Sequence, residues 1–239
     1  FYNRAVEKLG KDKAGAHFIA ITDPGSKLEI IADQYQFRAT FLNDPNIGGR
    51  YSALSYFGMI PAALSGIDIK TLLDRASTMA VNCDRYNSPA DGDNYGGKIG
   101  TLMGEMAKNG RDKLTFVISP SIRSFGDWVE QLIAESTGKE GKGILPVVGE
   151  PLGTPDVYGS DRLFVYLRLK DDNTYDALVN ALEIAGHPIV TVHMDDLYDI
   201  GAQFFLWEMA IVIAGYRIGI QPFDQPNVES AKVLARKMI

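Results

Sequence analysis

A chain of 239 residues is long enough for one large domain or two modest ones, and its 46% hydrophobic content supports a substantial core. The formal net charge of −6 argues against a nucleic-acid partner, because phosphate backbones demand a basic surface. A small anionic substrate stays open, since it needs only a local cationic pocket. Cys83 is the single cysteine, which rules out an internal disulfide and fits a reducing cytoplasm. His17, His187 and His193 show no metal-ligand spacing, so no metal is expected.

No signal peptide is visible at the start. The first residue is Phe1, and FYNRAVEKLGKDKAG reads as the end of a helix plus a polar loop, so the chain is expected to begin partway into a larger protein. HFIAIT (17–22) and FRATFL (37–42) read as buried strands with a helix near 25–34 between them, a parallel βαβ rhythm. After Gly48 and Gly49 come helical patterns over 52–64 and 68–82, the second with Ile69, Leu72, Leu73, Ala76, Met79 and Ala80 on one face. Residues 84–93 are a polar loop, and a helix over 94–109 ends at Gly110.

The rhythm then restarts. KLTFVIS (113–119), ILPVVG (144–149), RLFVYLRL (162–169) and IVTVHM (189–194) read as strands, with helices near 124–136 and 173–186. A long helix follows over 199–218 and a last one near 226–238. The apolar run 204–220 contains Glu208 and Arg217, both expensive in lipid, so a helix buried in protein is the better reading than a membrane span. The fold class is α/β with parallel sheets flanked by helices, and the restart near 111 divides the chain into 1–110 and 111–239. Ligands of such sheets gather at the carboxyl ends of strands, where GGRYS and the loop after ILPVVG both fall.

Three segments carry candidate chemistry. In GGRYS, Gly48 and Gly49 allow a sharp turn and close approach to a ligand, Arg50 offers planar donors to an oxyanion, and Ser52 opens a helix whose N–H groups favour an anion. The bland alternative is a tight turn with a solvated arginine. In EQLIAESTGK, Gln131 and Glu135 share one side of a helix, and Glu135 suits proton abstraction; a solvated surface glutamate is the alternative. In QPFDQPNVESAK, Gln225 and Lys232 lie two helical turns apart and could hold sugar hydroxyls and move a proton at a ring oxygen; the alternative is a helix cap and a surface lysine. The chain has no Walker A loop, GxGxxG after a strand, GxSxG or HExxH.

FLNDPNIGGRYSALSYFG, QLIAESTGK and GIQPFDQPNVESAK, in this order and at these separations, resemble the C-terminal portion of the phosphoglucose isomerase family. GTPDVYGSDRLFVYL looks most like the isomerase part of transaldolase–phosphoglucose isomerase fusions. The resemblance implies two sugar-isomerase (SIS) domains, each a five-stranded parallel sheet in a three-layer αβα sandwich, the first partial over 1–110 and the second complete over 111–239. It implies interconversion of glucose 6-phosphate and fructose 6-phosphate through a cis-enediolate, without a cofactor. Glu135 would move the proton between C2 and C1, Arg50 would stabilise the intermediate, and Lys232 would assist ring opening. Gln131, Gln225, Gly49 and Ser52 would bind the substrate. It also implies a homodimer or a larger chain, and a cytoplasmic setting.

Two departures stand beside it. Where many members carry a histidine from a neighbouring subunit, this chain aligns Tyr158, which leaves ring opening to Lys232, Asp156 or Asp161, or leaves it weak. The family's phosphate-gripping Ser/Thr loop would lie upstream of Phe1, so this chain alone is expected to have little or no activity. The rival readings are a non-catalytic sugar-phosphate-binding regulator and a dimerisation module.

Overall fold

The structure is a computed structural model that describes every residue except 85, 89–92, 225 and 239, and it does not describe the side chains of 226–231. It divides into two compact units, Phe1–Ile69 and Lys70–Ile239. The sequence rhythm put the restart near 111. The compact units divide earlier because the helix ending at Lys108 packs against the long helix near the C-terminus.

In the first unit, α1 (Tyr2–Leu9) and α2 (Lys11–Ala14) lead into β1 (Ile19–Thr22). β1 is shorter than expected because Gly15–His17 forms a 3-10 turn instead of extending the strand. A β-carbon on Gly15 would meet the Tyr35 carbonyl oxygen at 1.9 Å, so glycine is needed there for close backbone approach. α3 (Lys27–Gln34) is capped by Ser26, whose hydroxyl accepts from the Glu29 amide at 3.2 Å. β2 (Ala39–Leu42) pairs in parallel with β1, Ile19 opposite Ala39. Tyr2 stacks on Tyr35 with centroids 4.1 Å apart, which pins α1 beside α3. α4 (Tyr56–Leu64) closes the unit.

The second unit is a three-layer sandwich around a four-stranded parallel sheet. Its strands are β3 (Lys113–Ile118), β4 (Leu145–Val147), β5 (Arg162–Leu169) and β6 (Ile189–Met194), in the order β4-β3-β5-β6. Strands in this sheet alternate faces. On one face Phe116 meets Trp207 of α9 (Ile200–Ile218) edge-on at 5.0 Å. On the other, Val117, Phe164 and Tyr166 form a core with Val179 and Leu182 of α8 (Asp176–Ile184). β3 and β5 are buried through nearly their whole length, which is why they read as unbroken apolar runs.

α5 (Ile69–Asn82) and α6 (Tyr95–Lys108) precede the sheet in sequence. α6 lies on α9 along a row of glycines. A β-carbon on Gly96 would come within 2.8 Å of the Met209 side chain, on Gly100 within 2.3 Å of the Ala210 carbonyl oxygen, and on Gly104 within 2.5 Å of the Arg217 side chain. At Gly100 the two helices meet backbone to backbone, and at Gly96 and Gly104 side chains of α9 occupy the space a β-carbon would need. α7 (Phe125–Thr137) joins the same layer, with Phe125 and Trp128 packed around Phe204 of α9. By length and composition α9 with its preceding turn could cross a membrane, but here Leu206, Trp207, Ala210, Ile211 and Ala214 are buried in the protein core. A last helix, α10, runs from Pro226 to Met238.

Candidate functional site

The expected site residues fall in both units: Gly49, Arg50 and Ser52 in the first, and Gln131, Glu135, Tyr158 and Lys232 in the second. Gln225 lies outside the described residues.

Gly49–Tyr51 forms a single 3-10 turn between β2 and α4. Arg50 sits at its centre and is 4% exposed, which overturns the solvated arginine. Its guanidinium lies 5.5 Å from the Tyr51 ring centroid. Burying a guanidinium costs free energy unless its donors are satisfied, so a buried arginine here is a committed feature of the fold. Gly48 has ordinary extended backbone angles, and a β-carbon on Gly48 or Gly49 would meet nothing within 4 Å. The two glycines are thus not required by a tight turn. They leave open backbone beside Arg50.

The expected role of Ser52 as a helix opener is corrected. α4 begins at Tyr56, and its N-cap is Ser55, whose hydroxyl accepts from the Phe57 amide at 3.2 Å. Ser52 instead donates its hydroxyl to the Gly49 carbonyl at 2.7 Å and closes the turn around Arg50.

In the second unit, α7 is anchored by Val129, Leu132 and Ile133, each 0% exposed. This fixes the opposite, exposed stripe, where Gln131 donates its side-chain amide to Glu135 Oε1 at 3.0 Å. A carboxylate in the last turn of a helix faces the negative end of the dipole, and a neighbouring amide donor offsets that. The pair presents an oriented carboxylate on a rigid element, the arrangement a general base needs.

The loop after α7 is tied at both ends. Thr137, fully buried, donates to the Ile133 carbonyl at 2.8 Å and accepts from the Ile144 amide at 2.9 Å. Lys139, 5% exposed, donates to oxygens of Gln221 and Asp224, and Lys142 donates to the Gly219 carbonyl at 3.1 Å. The end of α7 is thereby joined to the segment that enters α10, which carries the exposed Lys232. Lys139 stands inside the quoted EQLIAESTGK, yet nothing in its sequence spacing pointed to these acceptors.

Tyr158 is a core residue. It is 9% exposed, packs edge-on against Phe164 at 5.1 Å, and its hydroxyl accepts from the Gly153 amide at 2.8 Å. Arg162 covers the ring at 5.2 Å. Asp161 pairs with Lys113 at 2.8 Å, and that ammonium holds its carboxyl below the usual range. The Asp156 carboxyl is also lowered, mainly by the Thr154 side chain. A cavity of about 770 Å³ opens where β4 ends short of β3, lined by Ile118, Arg123, Asp127, Gly149 and Tyr175 among others. The expected site residues are not among those lining it.

The fold and the exposed carboxylate on α7 define a two-unit α/β protein with parallel sheets. No protein-family model matches the chain. Over 97% of its length it is 28% identical to a curated glucose-6-phosphate isomerase of Lactobacillus helveticus, and it spans 60% of that relative. It is 29% identical over 95% of its length to glucose-6-phosphate isomerase of Clostridium perfringens, spanning 58% of it. The chain thus spans about three fifths of the length of the curated relatives it matches. Among solved structures, a hypothetical protein from Thermus thermophilus superposes over 98% of the chain with a TM-score of 0.81 at 21% identity, covering 65% of that protein. A glucose-6-phosphate isomerase from Chlamydia trachomatis superposes over 99% with a TM-score of 0.77 at 18% identity, covering 55% of it. These share the fold. The sequence is similar to these glucose-6-phosphate isomerases over 95–97% of its length.

Proposed function

We propose that this chain forms the C-terminal part of an aldose–ketose isomerase that interconverts glucose 6-phosphate and fructose 6-phosphate. The observation that carries the reading is the similarity to glucose-6-phosphate isomerases over 95–97% of the chain. The oriented Gln131–Glu135 pair on α7 supports it, because a binding module needs no base. Glu135 takes the proton from C2 and returns it to C1. The Arg50 guanidinium balances the negative charge that develops on the two oxygens of the cis-enediolate. The open backbone at Gly49 lets the sugar approach Arg50 closely, with Ser52 holding that turn. Gln131 and Gln225 contact the sugar phosphate, and Lys232 assists ring opening. Tyr158 supports the loop it packs under and takes no part in proton transfer.

On this reading residues 1–110 are the C-terminal part of one SIS domain and 111–239 a second. The protein is cytoplasmic, works as a homodimer or within a larger chain, and needs no cofactor for this chemistry. The test is a coupled assay of glucose 6-phosphate turnover by the full-length protein carrying this sequence, with thermal shift on the same sugar phosphate. Turnover supports the isomerase. Stabilisation without turnover favours a sugar-phosphate-binding regulator, and neither favours a dimerisation module.

A further inference from the structure

One buried cation joins the loop after α7 to the segment entering α10. Lys139 Nζ donates to the Gln221 carbonyl at 2.5 Å, the Asp224 carbonyl at 2.6 Å and Asp224 Oδ1 at 2.6 Å. An ammonium has three donors. All three are engaged, and their acceptors lie 82 and 85 residues further along the chain. The lysine is 5% exposed while Asp224 is 54% exposed, so the charge sits inside and its carboxylate reaches in from the surface.

The setting makes this contact a lever. α7 is held from below by Val129, Leu132 and Ile133, and its end is closed by Thr137, so Glu135 does not depend on Lys139 for its place. The segment 221–224 is held differently. On one side α9 ends at Gly219, with a left-handed backbone and the Lys142 contact. On the other, α10 begins at Pro226 and leads to Lys232. Without the ammonium, two carbonyl oxygens and a carboxylate lose the cation they share, and the segment loses its tie to the loop after α7.

We propose that Lys139 is the positioning residue of the site: it ties residues 221–224, the segment that leads into α10 and Lys232, to the loop that follows α7. This rests on the isomerase reading above. Lys139 touches neither the substrate nor a reacting atom in this account, because its donors are already used. It acts through the C-terminal segment.

The experiment uses the full-length protein with Lys139→Met, Lys139→Arg, Lys232→Met and the Lys139→Met/Lys232→Met double variant. Hydrogen exchange is followed across 221–238 and across β3 and β5. Lys139→Met is expected to speed exchange in 221–238 while β3 and β5 keep their protection. Its kcat on glucose 6-phosphate is expected to fall on the order of 10- to 100-fold with KM within about threefold, since positioning is lost rather than uniform binding. Lys139→Arg should recover part of the loss, and the double variant should match Lys232→Met within about threefold. Unchanged exchange in 221–238 overturns the proposal. So does unchanged kcat, or losses that multiply in the double variant, since the two lysines would then act separately. If the unsubstituted protein has no turnover, the isomerase reading fails and the exchange data alone decide the tether. If Lys139→Met does not fold, Asp224→Asn carries the same comparisons, because it removes the carboxylate and keeps both carbonyls.

Discussion

Gln131 donates to the Glu135 carboxylate at 3.0 Å along one exposed stripe of α7, and the opposite stripe of the same helix is wholly buried. The buried face leaves the helix no freedom to roll, so the pair keeps its bearing. Replacing Glu135 by Gln keeps shape and removes the base. Turnover of glucose 6-phosphate should fall about 10²–10⁴-fold while sugar-phosphate binding persists. Calorimetric binding and a coupled assay on the Glu135→Gln protein check this, and near-normal turnover would remove Glu135 from the mechanism.

Arg50 is the second test. If it balances charge on the enediolate, Arg50→Ala should lose on the order of 3–4 kcal/mol of transition-state stabilisation. Arg50→Lys should restore only a fraction, because an ammonium lacks the planar fork. Arg50 is buried, so a circular-dichroism melt must accompany the kinetics. A folded Arg50→Ala protein with unchanged kcat would contradict the role.

Glu208, in the middle of α9, gives a pH prediction. Burial pushes its carboxyl up to about 8, and its Oε1 has no hydrogen-bond partner among the described residues. The folded protein therefore holds a proton that the unfolded chain releases near the ordinary carboxylate value. This contribution to stability is fully present below the unfolded value of about 4.5 and is lost as pH rises through the folded value near 8. The slope is at most about 1.4 kcal/mol per pH unit within that window. Urea titrations at several pH values between 5 and 8 should show stability falling, and Glu208→Gln should flatten that fall. An unchanged slope in the variant would mean that another group carries it.

Gly100 supplies a packing test. Its missing β-carbon would stand 2.3 Å from the Ala210 carbonyl oxygen, which belongs to helix backbone and cannot swing aside. Gly100→Ala should destabilise the second unit by roughly 1–3 kcal/mol, in the range of overpacked cores, although alanine normally favours a helix. Thermal melts of the variant settle the sign, and a raised Tm would refute the close packing.

Much of the fold was legible because burial on both faces leaves a plain mark. β5 begins and ends where its apolar run does, at Arg162–Leu169, and β6 also keeps its run, Ile189–Met194, although it is an edge strand in which only Met194 is buried. Boundaries failed where local turns competed. Ser52 and Ser55 are equally good caps on paper, and only the 3-10 turn around Arg50 gives the helix to Ser55. At the site, Gln131 and Glu135 were readable because helical spacing puts them together. Lys139 was not, because its acceptors are mostly backbone oxygens far along the chain, and a carbonyl has no sequence identity. Tyr158 was assigned by alignment with a histidine, and its packing beneath Arg162 follows from tertiary contacts that spacing does not encode.

The glycine row of α6 bears on how this protein can change over time. Wherever two helices meet through side chains, one residue can shrink as another grows, and drift proceeds by small exchanges. Here the contact at Gly100 is to a carbonyl oxygen, which no mutation of Ala210 can remove. No single compensating change exists at that point. The two helices must be inherited as a matched pair, and a homologue that has lost the glycine will have reset the spacing of α6 and α9 as a whole.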